Sequence, residues 1–549
     1  MSEGEAATSL VGSGRWTRAP AVALGLSLAL FLVYNANGDV YWSYDATPSV
    51  YGAADLLEFG RLSFTPSRDP WLFEWSTAGN ERPFRLWNLS GAVVDGVPAQ
   101  DLRRAGALVA NAPYYLARTV RVDKTTGEPV YVSLYGPAMS VFAVPFLAAA
   151  RLFAAGDLRS DPTVLWYAAK VAASFMAAAS AAFVFLTCRR WLATLPSVAI
   201  ALAYGLGTCV WSTTSQTLWQ HPANALLLST GAYAFTRERE SLLAAACAGL
   251  SLGLAVAARP TSAAFFAAAA AYLLLVDRRR LSAFLLAGVP PLAALAAFNL
   301  IYMGSPFRIG QTAVAPGGAG LWDTPLAAGL AGLLVSPSRG LFVFSPFLVL
   351  AIPGAILSWR RREYAALRPF TAGTAAVLLV QGKWIAWWGG HSYGYRIVSD
   401  LAVMLCIFMI PAWGWMAKRR STAVAFLALL GWSVALQGAG AFLDQQTWNA
   451  RPGRVVRLPS GDIVVREVEA IPAGPAPEQG VLVGQVLMDV NRPEFQYRLW
   501  SLRDSSLRFL WDEGFRGREV KRRQTRAWLE QFRPPEGAML PDDPRPGVP

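Results

Sequence analysis

The sequence predicts an all-α polytopic membrane protein with about eleven transmembrane helices, a large first external loop and a small α+β tail. Three observations lead to this fold class. Of the 549 residues, 54% are hydrophobic and 15% are charged, and the mean hydropathy is +0.33. Soluble domains carry roughly 25% charged residues. Apolar segments of about 18 residues or more recur along the chain, as membrane spans require, and short basic clusters separate them.

The first span is predicted at residues 20–34, where Arg15 and Arg18 precede an apolar stretch. A signal peptide begins in the same way. We expect an uncleaved span instead, because further spans follow it. A segment of mixed polarity, residues 38–136, comes next. The other spans are predicted at 166–187, 196–215, 222–236, 241–257, 261–276, 283–303, 341–358, 370–388, 397–416 and 421–443.

The apolar stretch 137–153 decides the topology. If it crossed the membrane, five basic clusters would lie outside, against the positive-inside rule. If it lies along the outer membrane surface as an amphipathic helix, all five become cytoplasmic. We therefore assign 137–153 to a first external loop, 38–165, with the N-terminus inside and the C-terminus outside. The five clusters are Arg189-Arg190, Arg237 with Arg239, Arg278–Arg280, Arg360–Arg362 and Lys418–Arg420.

The same topology places residues 304–340 outside, with 325–335 as a second interfacial helix. Residues 1–445 then form the transmembrane domain, and 446–549 form an extracytoplasmic C-terminal region. In that region, residues 454–468 predict a β-hairpin with its turn at Pro459-Ser460-Gly461.

Composition also excludes some classes of function. The net charge of +13 comes without a glycine-rich phosphate loop or an aromatic-basic RNA motif, so nucleic acid is not an expected partner. The four cysteines (Cys188, Cys209, Cys247 and Cys406) fall within or beside apolar segments and include no CxxC pair. We therefore expect the cysteines to be packing residues and expect neither a disulfide framework nor a metal site.

Unusual polar residues gather at the predicted outer ends of the spans. Asp45 follows the first span in the stretch NGDVYWSYDATPS (37–49), and we predict it as the catalytic carboxylate. Charges at membrane depth cost on the order of 2.5–3.5 kcal/mol each, so their convergence on one face indicates a site. The predicted substrate-binding residues are Asp55, Tyr135, His221, Arg259, Arg339, Lys383, His391, Tyr393 and Arg396.

Each of these residues also has a simpler interpretation. Trp219, Trp387 and Trp388 are typical of an aromatic belt at the lipid headgroups, and Lys383 is placed where a lysine can extend to the interface. Arg259 suits a loop charge that binds lipid phosphate. Asp39 is expected to be a solvated exit residue, and Asp55 with Glu58 suits the water-facing side of an amphipathic helix. Either histidine could simply hydrogen-bond a loop.

The chemistry that such a site suits is glycosyl transfer from a lipid phosphate. A carboxylate can take the proton from an acceptor hydroxyl as that hydroxyl attacks the anomeric carbon. Arginine and lysine can hold the phosphate and stabilise the leaving group. Gly389, Gly390 and Gly394 would let the backbone approach a substrate closely.

Several motifs, in order, resemble the bacterial GT-C glycosyltransferases that are similar to protein O-mannosyltransferases and aminoarabinose transferases. The resemblance covers most of residues 20–450. The motifs are SYDATPSVYGAADLLEFGRLSF (43–64), EPVYVSLYGPAMSVFAVPF (128–146), LGTCVWSTTSQTLWQHP (206–222), AARPTSAAFF (257–266), YMGSPFRIG (302–310), GLLVSPSRGLFVFSP (332–346) and WWGGHSYGYRIVSDL (387–401).

The resemblance implies a GT-C-type bundle in the bacterial inner (plasma) membrane, with Asp45 as the general base. It also implies a polyprenyl-phosphate-linked sugar donor, an acceptor glycan, lipid or protein, and basic residues that bind the lipid-linked phosphate. Members of the mannosyltransferase type often carry two adjacent acids, whereas Ala46 follows Asp45 here. A paired-acid or metal-assisted mechanism therefore needs Asp55 or Glu58 to substitute. No metal ligands and no cofactor are assigned, and a divalent cation is an open alternative.

Two other functions fit a similar architecture. A flippase or other transporter of lipid-linked sugars would favour charges near the bilayer midplane and internal repeats, whereas this chain has its charges at one face. A ligase or polymerase of lipid-linked oligosaccharides shares the donor class and stays open. Membrane lipids are expected contacts in every case.

Overall fold

The computed structural model describes residues 18–77, 84–86, 93–94, 96–154, 156–237, 241–314, 320–444, 446–457, 463–467 and 481–533. Its helices are α1 (Ala19–Asn35), α2 (Thr47–Phe59), α3 (Ala99–Arg104), α4 (Ala138–Ala150), α5 (Pro162–Cys188), α6 (Thr194–Gly207), α7 (His221–Phe235), α8 (Leu242–Ala258), α9 (Ala263–Val276), α10 (Arg278–Met303), α11 (Gly310–Val314), α12 (Leu326–Val335), α13 (Leu341–Phe344), α14 (Ala351–Arg360), α15 (Arg368–Lys383), α16 (Leu401–Lys418), α17 (Arg420–Leu443), α18 (Ser506–Glu513) and α19 (Arg516–Gln531). Its strands are β1 (Glu74–Thr77), β2 (Val93–Val94), β3 (Val97–Pro98), β4 (Leu108–Asn111), β5 (Leu116–Val122), β6 (Pro129–Ser133), β7 (Ala450–Arg457), β8 (Ile463–Glu467) and β9 (Val481–Asp489).

The fold is mostly helical, and each predicted span coincides with a helical segment. By length and composition, four helices of the described chain can cross a membrane: α5, α10, α16 and α17. Shorter apolar helices fill other predicted spans, and the predicted segment 341–358 is divided among α13, a 3₁₀ turn and α14. The membrane character of the chain is therefore supported, while the count of eleven spans stays a prediction.

Small residues allow the helices to approach closely. A Cβ atom on Gly249 of α8 would lie 2.0 Å from the Phe284 carbonyl oxygen of α10, and one on Gly253 would lie 2.3 Å from the Gly288 carbonyl oxygen. Interfaces of this kind are typical of helices in membranes, where close backbone packing replaces the hydrophobic driving force.

Contacts link several of the helix ends that carry basic clusters. Trp191 Nε1, between α5 and α6, donates to the Glu363 carbonyl oxygen, between α14 and α15, over 3.2 Å. Arg280, in the first turn of α10, donates to the Phe235 carbonyl oxygen at the end of α7 over 3.2 Å. These contacts join the α5–α6 joint to the α14–α15 joint and the end of α7 to the start of α10.

The first loop contains more strand than the sequence predicted. Strand β1 pairs with β4, β2 with β3, and β5 with β6, all antiparallel. A single backbone bridge joins Phe64 to Tyr131. Isolated pairs of strands this short are marginally stable on their own, so the rest of the fold must support them and local periodicity alone does not indicate them.

The predicted surface segments 137–153 and 325–335 are helical, as α4 and α12. Met139, Ala143 and Leu147 form a buried stripe along α4. The Ser140 hydroxyl donates to the Ser49 carbonyl oxygen of α2 over 3.1 Å. The position of both helices at a membrane surface stays a prediction.

The C-terminal region folds back onto the helical bundle. The predicted hairpin is confirmed as the antiparallel strands β7 and β8, and its turn at Pro459-Ser460-Gly461 lies outside the described residues. Strand β9 adds to the other edge of β7. Helix α19 reaches the start of the first loop, where the Thr525 hydroxyl donates to the Val40 carbonyl oxygen over 3.2 Å.

Candidate functional site

Asp45 lies in a one-turn 3₁₀-helix, Tyr44–Ala46, immediately before α2. Pro48 stands in the first turn of α2, where a missing backbone N–H has no cost and the fixed φ favours the start of a helix. The N-terminus of a helix carries partial positive charge. Helix α2 therefore favours an ionised carboxylate at Asp45.

Three side chains bind the Asp45 carboxylate. Arg396 donates from Nη1 to Oδ2 over 2.7 Å, and the Tyr114 hydroxyl donates to Oδ1 over 3.0 Å. The Tyr135 hydroxyl supplies a further hydrogen bond. The side chains of Arg396 and Asp45 are 11% and 15% exposed, so bulk water screens this ion pair little.

These neighbours control the ionisation of Asp45. Burial alone would raise its pKa, but the charge and hydrogen bond of Arg396, with the hydrogen bonds of Tyr135 and Tyr114, outweigh burial and hold the pKa below its usual range. Burial would lower the pKa of Arg396, yet Asp45 raises it above the ordinary value. Both groups are therefore charged at neutral pH.

The loop between α15 and α16 aims Arg396 at Asp45. Gly389, Gly390 and Gly394 have φ angles of +76°, +68° and +59°, a region that side chains with a Cβ rarely adopt. The resulting turns let Arg396 Nη2 donate to the Gly389 carbonyl oxygen over 2.5 Å. The guanidinium carbon also lies 4.6 Å from the centre of the Trp219 ring, in a cation–π contact.

A second polar cluster lies beside this pair. His221 Nδ1 is 3.1 Å from Asp400 Oδ1, 3.1 Å from Arg259 Nη1 and 2.9 Å from the Ser399 hydroxyl. Arg259 Nη1 also forms an ion pair with Asp400 Oδ2. All four residues are buried. Buried charges need partners, and here Arg259 and Asp400 neutralise each other.

Two hydrogen bonds tie this cluster to the Asp45 pair. Arg259 Nη2 donates to the Ile397 carbonyl oxygen over 2.6 Å, next to Arg396. Gln220 Nε2, next to His221, donates to the Tyr135 carbonyl oxygen over 2.8 Å. The cluster therefore binds the backbone next to Arg396 and the backbone of Tyr135, two of the residues that contact Asp45.

Arg339, by contrast, joins the bundle to the C-terminal region. It donates to the carbonyl oxygens of Ser338 and Trp388 over 2.9 and 3.1 Å and to Asn449 Oδ1 over 2.5 Å. Its guanidinium carbon lies 5.1 Å from the Trp448 ring centre. Burial lowers the pKa of Arg339 to about 10. These partners occupy Arg339 within the protein and turn it away from Asp45.

Three more predicted binding residues have no contact with Asp45. The Tyr393 hydroxyl donates to the Leu436 carbonyl oxygen over 2.7 Å, and its ring is buried against Phe344. His391 Nε2 lies 2.7 Å from Asp489 Oδ1 in the C-terminal region. Lys383, at the end of α15, has neither an ion pair nor a hydrogen bond within the described part of the chain.

Asp55 and Glu58 do not supply a second acid beside Asp45. Asp55 accepts from Arg61 Nε over 3.1 Å and lies 3.7 Å from Arg159 Nη1. Glu58 Oε1 accepts from the Leu158 backbone N–H over 2.8 Å. Asp55 follows Asp45 by more than two turns of α2, too far for both to bind one atom. The expectation that Asp55 faces water is wrong, because it is buried among arginines.

Two further expectations are corrected. Asp39 is buried, with Arg522 Nε of α19 3.7 Å from Oδ1, and so is not a solvated exit residue. Trp219, Trp387 and Trp388 are 3%, 6% and 6% exposed. They pack inside the protein, whereas a belt at the lipid headgroups would leave them at its surface.

Aromatic side chains pack around the residue before Asp45. The rings of Tyr44 and Tyr115 stack with centres 5.8 Å apart and planes within 10°, while the neighbouring Tyr114 binds Asp45. Trp528 of α19 meets the Tyr44 ring edge-on at 4.6 Å. Tyr44 also lines a cavity of about 340 Å³, together with Glu74, Phe84, Arg85 and Gln531.

The described part of the chain contains no group of three His, Cys, Asp or Glu side chains that could hold a metal ion. Each Asp45 oxygen instead accepts a hydrogen bond, one from Arg396 and one from Tyr114. The need for a divalent cation stays open.

Sequence reasoning missed several residues of this region. Asp400 lies near the start of the tenth predicted span, three residues after Ile397. An acid so close to the glycine-rich segment that carries Arg396 was the sequence signal that could have indicated it. Tyr114 stands in a loop of mixed polarity with no periodic pattern. Arg85 and Trp528 join the site through contacts across the chain that no local pattern reveals.

Comparisons with known proteins add a structural likeness of low similarity. No family model and no curated protein matches the chain. Among solved structures, the chain is similar to the Archaeoglobus fulgidus oligosaccharyltransferase in complex with zinc and sulfate, at 16% identity and a TM-score of 0.36. The match covers 56% of this chain and 45% of that one, so this chain spans less than half of its length. Residue roles therefore rest on the geometry of the site itself.

Proposed function

We propose that the protein is a GT-C-type membrane glycosyltransferase, which moves a sugar from a polyprenyl-phosphate donor to an acceptor hydroxyl with Asp45 as general base. The observation that carries the proposal is the Asp45–Arg396 pair, a carboxylate and a guanidinium side by side where several apolar helices end. Glycosyl transfer from a lipid phosphate needs these two groups together, one for the acceptor and one for the donor.

In the proposed reaction the acceptor oxygen forms a bond to the anomeric carbon of the sugar. The bond between that carbon and the phosphate oxygen breaks, and its electron pair stays on the leaving lipid phosphate. The proton of the acceptor hydroxyl passes to Asp45, whose lowered pKa keeps it ionised and ready. Arg396 stabilises the charge on the phosphate, bidentately where the geometry permits.

The second cluster takes a positioning role in this proposal. Arg259 was expected to bind the donor phosphate, but Asp400 neutralises it and the pair is buried. Its hydrogen bond to the Ile397 carbonyl oxygen supports a role in holding Arg396. His221 then orients Arg259 and Asp400, and the proposed phosphate ligand is Arg396 alone among these residues.

We further propose that this end of the bundle faces the extracytoplasmic side of a bacterial inner membrane. The basic clusters lie between the opposite ends of the helices, where they suit the cytoplasmic face. Polyprenyl-phosphate sugars would then approach from the outer leaflet.

The test is incubation of the purified full-length protein with radiolabelled polyprenyl-phosphate sugars, followed by separation of lipid-linked from released sugar. We expect the wild type to consume at least one donor, by transfer or by hydrolysis. Asp45→Asn should slow turnover by about 10²–10⁴-fold, the usual contribution of general base catalysis. Asp101→Asn, in an exposed ion pair of the same loop, is the matched control.

The outcomes separate the proposal from its rivals. A flippase would move donors across vesicles and leave them chemically intact. A ligase or polymerase would consume oligosaccharide donors and not monosaccharide ones. Normal turnover in Asp45→Asn would mean that another carboxylate is the base.

A further inference from the structure

The cavity beside Asp45 has polar side chains that nothing else in the described chain satisfies. The Glu74 carboxylate and the Gln531 amide form no hydrogen bond or ion pair with any described residue. Arg85 donates from Nη1 to the Trp71 carbonyl oxygen over 2.8 Å and also interacts with the Tyr115 hydroxyl. Glu74 and Gln531 therefore line the cavity together with Arg85, with no hydrogen bond of their own to any described residue.

The charges of the lining indicate the kind of ligand. Glu74 and Arg85 interact electrostatically but do not close on each other as an ion pair. A single carboxylate disfavours an anionic ligand, and a single guanidinium disfavours a cationic one. Gln531 and the Tyr44 hydroxyl each donate and accept. A neutral ligand with adjacent hydroxyl groups, which also donate and accept, matches this lining.

The size and shape agree with a carbohydrate. About 340 Å³ lies near the lower end of the roughly 300–1,000 Å³ of ligand pockets, which suits a short saccharide segment. Phe84 supplies one apolar wall. A bound peptide would instead need a free strand edge or a series of apolar pockets, and the described lining offers neither.

Tyr44, which lines the cavity, connects it to Asp45 along the chain. Tyr44 and Asp45 are adjacent in the same 3₁₀ turn. Tyr115 stacks on Tyr44, and Tyr114 binds the Asp45 carboxylate. The tyrosines at the edge of the cavity are therefore neighbours of the carboxylate, in the chain or by contact.

From these observations we propose that the cavity is an acceptor subsite, and that the acceptor is a glycan whose terminal hydroxyl reaches Asp45. Glu74, Arg85 and Gln531 bind the sugar unit behind the one that reacts. The acceptor role rests on the proposed function. Glycan binding in the cavity, however, can be measured without any sugar transfer.

The experiment uses the full-length protein on an immobilised panel of neutral di-, tri- and tetrasaccharides, with a parallel panel of peptides rich in serine and threonine. We expect the wild type to bind at least one glycan. Glu74→Ala should weaken that binding about tenfold or more, since a hydrogen bond to a charged group is lost. Gln531→Ala should weaken it about two- to tenfold.

The matched control is Glu530→Ala, one residue before Gln531 on α19, where the side chain is 60% exposed and pairs with Arg533. It should bind glycans like the wild type. Neither the Glu74 nor the Gln531 side chain forms a hydrogen bond or ion pair with a described residue, so the unfolding temperatures of both of their alanine variants should stay near that of the wild type.

Binding to peptides alone, binding to neither panel, or equal glycan binding in all variants would overturn the inference. The two proposals fail separately. If Glu74→Ala abolishes glycan binding while no donor is ever consumed, the glycan site stands and the transferase proposal falls. If donor is hydrolysed while no glycan binds, the reverse holds.

Discussion

Arg396 donates from Nη1 to Oδ2 of Asp45 over 2.7 Å, although 351 positions separate the two residues along the chain. The contact joins the turn after the first helix of the bundle to the loop before α16. Neither residue has its charge neutralised by its own segment, so each depends on the other to remain buried and ionised.

The first prediction tests this dependence with a double-mutant cycle. Asp45→Asn and Arg396→Ala should each lower the resistance of the purified protein to unfolding by SDS in mixed micelles. The double variant should lose less than the sum, with a coupling of about 0.5–3 kcal/mol, as expected for residues in contact. The control cycle uses Arg508 and Asp512, an exposed pair on α18 at 2.7 Å, which should couple by only about 0.3–0.5 kcal/mol. Equal coupling in both cycles would contradict a special role for the site pair.

A second prediction concerns the buried acid that holds Arg259. Asp400→Asn leaves the Arg259 guanidinium buried without a counter-charge, which typically costs about 3–5 kcal/mol. The unfolding midpoint in detergent should fall accordingly. Glu363→Gln is the control, because it breaks an exposed ion pair in which the side chains of Arg361 and Glu363 are 60% and 56% exposed. It should change stability by less than about 1 kcal/mol. If both variants behave alike, Asp400 is not the group that balances Arg259.

A third prediction compares two tryptophans of the C-terminal region. Trp528 is buried against Trp42, Tyr44 and Trp166, and Trp528→Ala should cost about 3–5 kcal/mol, as large aromatic deletions in cores do. Trp511 is 84% exposed, and Trp511→Ala should leave the unfolding midpoint unchanged. Limited proteolysis should also release α19 from the first variant and not from the second. A stable, protease-resistant Trp528→Ala would show that the tail is held by other contacts.

The fourth prediction is a dependence of stability on pH. Burial and then the negative charge of Asp69 raise the pKa of Asp55 to about 7, in spite of Arg61, whereas an unfolded aspartate titrates near 3.9. Between these values the folded state binds a proton that the unfolded state does not. The contribution of Asp55 to stability is therefore full below about pH 4 and is lost as the pH rises to about 7.

Thermal unfolding from pH 4 to 8 measures this effect. Relative to Asp55→Asn, the wild type should lose stability across the window and run parallel to the variant above it. Asp101→Asn, at an exposed acid, should follow the wild type throughout. A constant difference between wild type and Asp55→Asn at every pH would rule out the raised pKa.

Much of the helical framework followed from the sequence, because each membrane-type helix carries its own signal of about eighteen apolar residues. The positions of Asp45 and Arg396 at helix ends followed in the same way. The hairpin of β7 and β8 was also predictable, since its two strands are close in the chain and flank a turn sequence. These features depend on local patterns alone.

The pairing of charges was not predictable for the opposite reason. Arg339 and Arg259 look alike in the sequence, each a lone basic residue beside a span. Only the fold shows that Arg339 is bound by carbonyl oxygens and Asn449, whereas Arg259 is bound by Asp400. The third strand, β9, and the docking of α19 likewise depend on contacts across long stretches of chain.

The contact of Trp528 with Tyr44 has a consequence for how the protein is made. A ribosome produces Tyr44 early and Trp528 484 residues later. Until that last helix emerges and folds back, the wall that Gln531 contributes to the cavity is missing. A nascent chain that has not yet made α19 therefore carries the helical bundle and an unfinished pocket. A nonsense mutation near codon 510 would leave every apolar helix of the bundle in place and still remove this final wall.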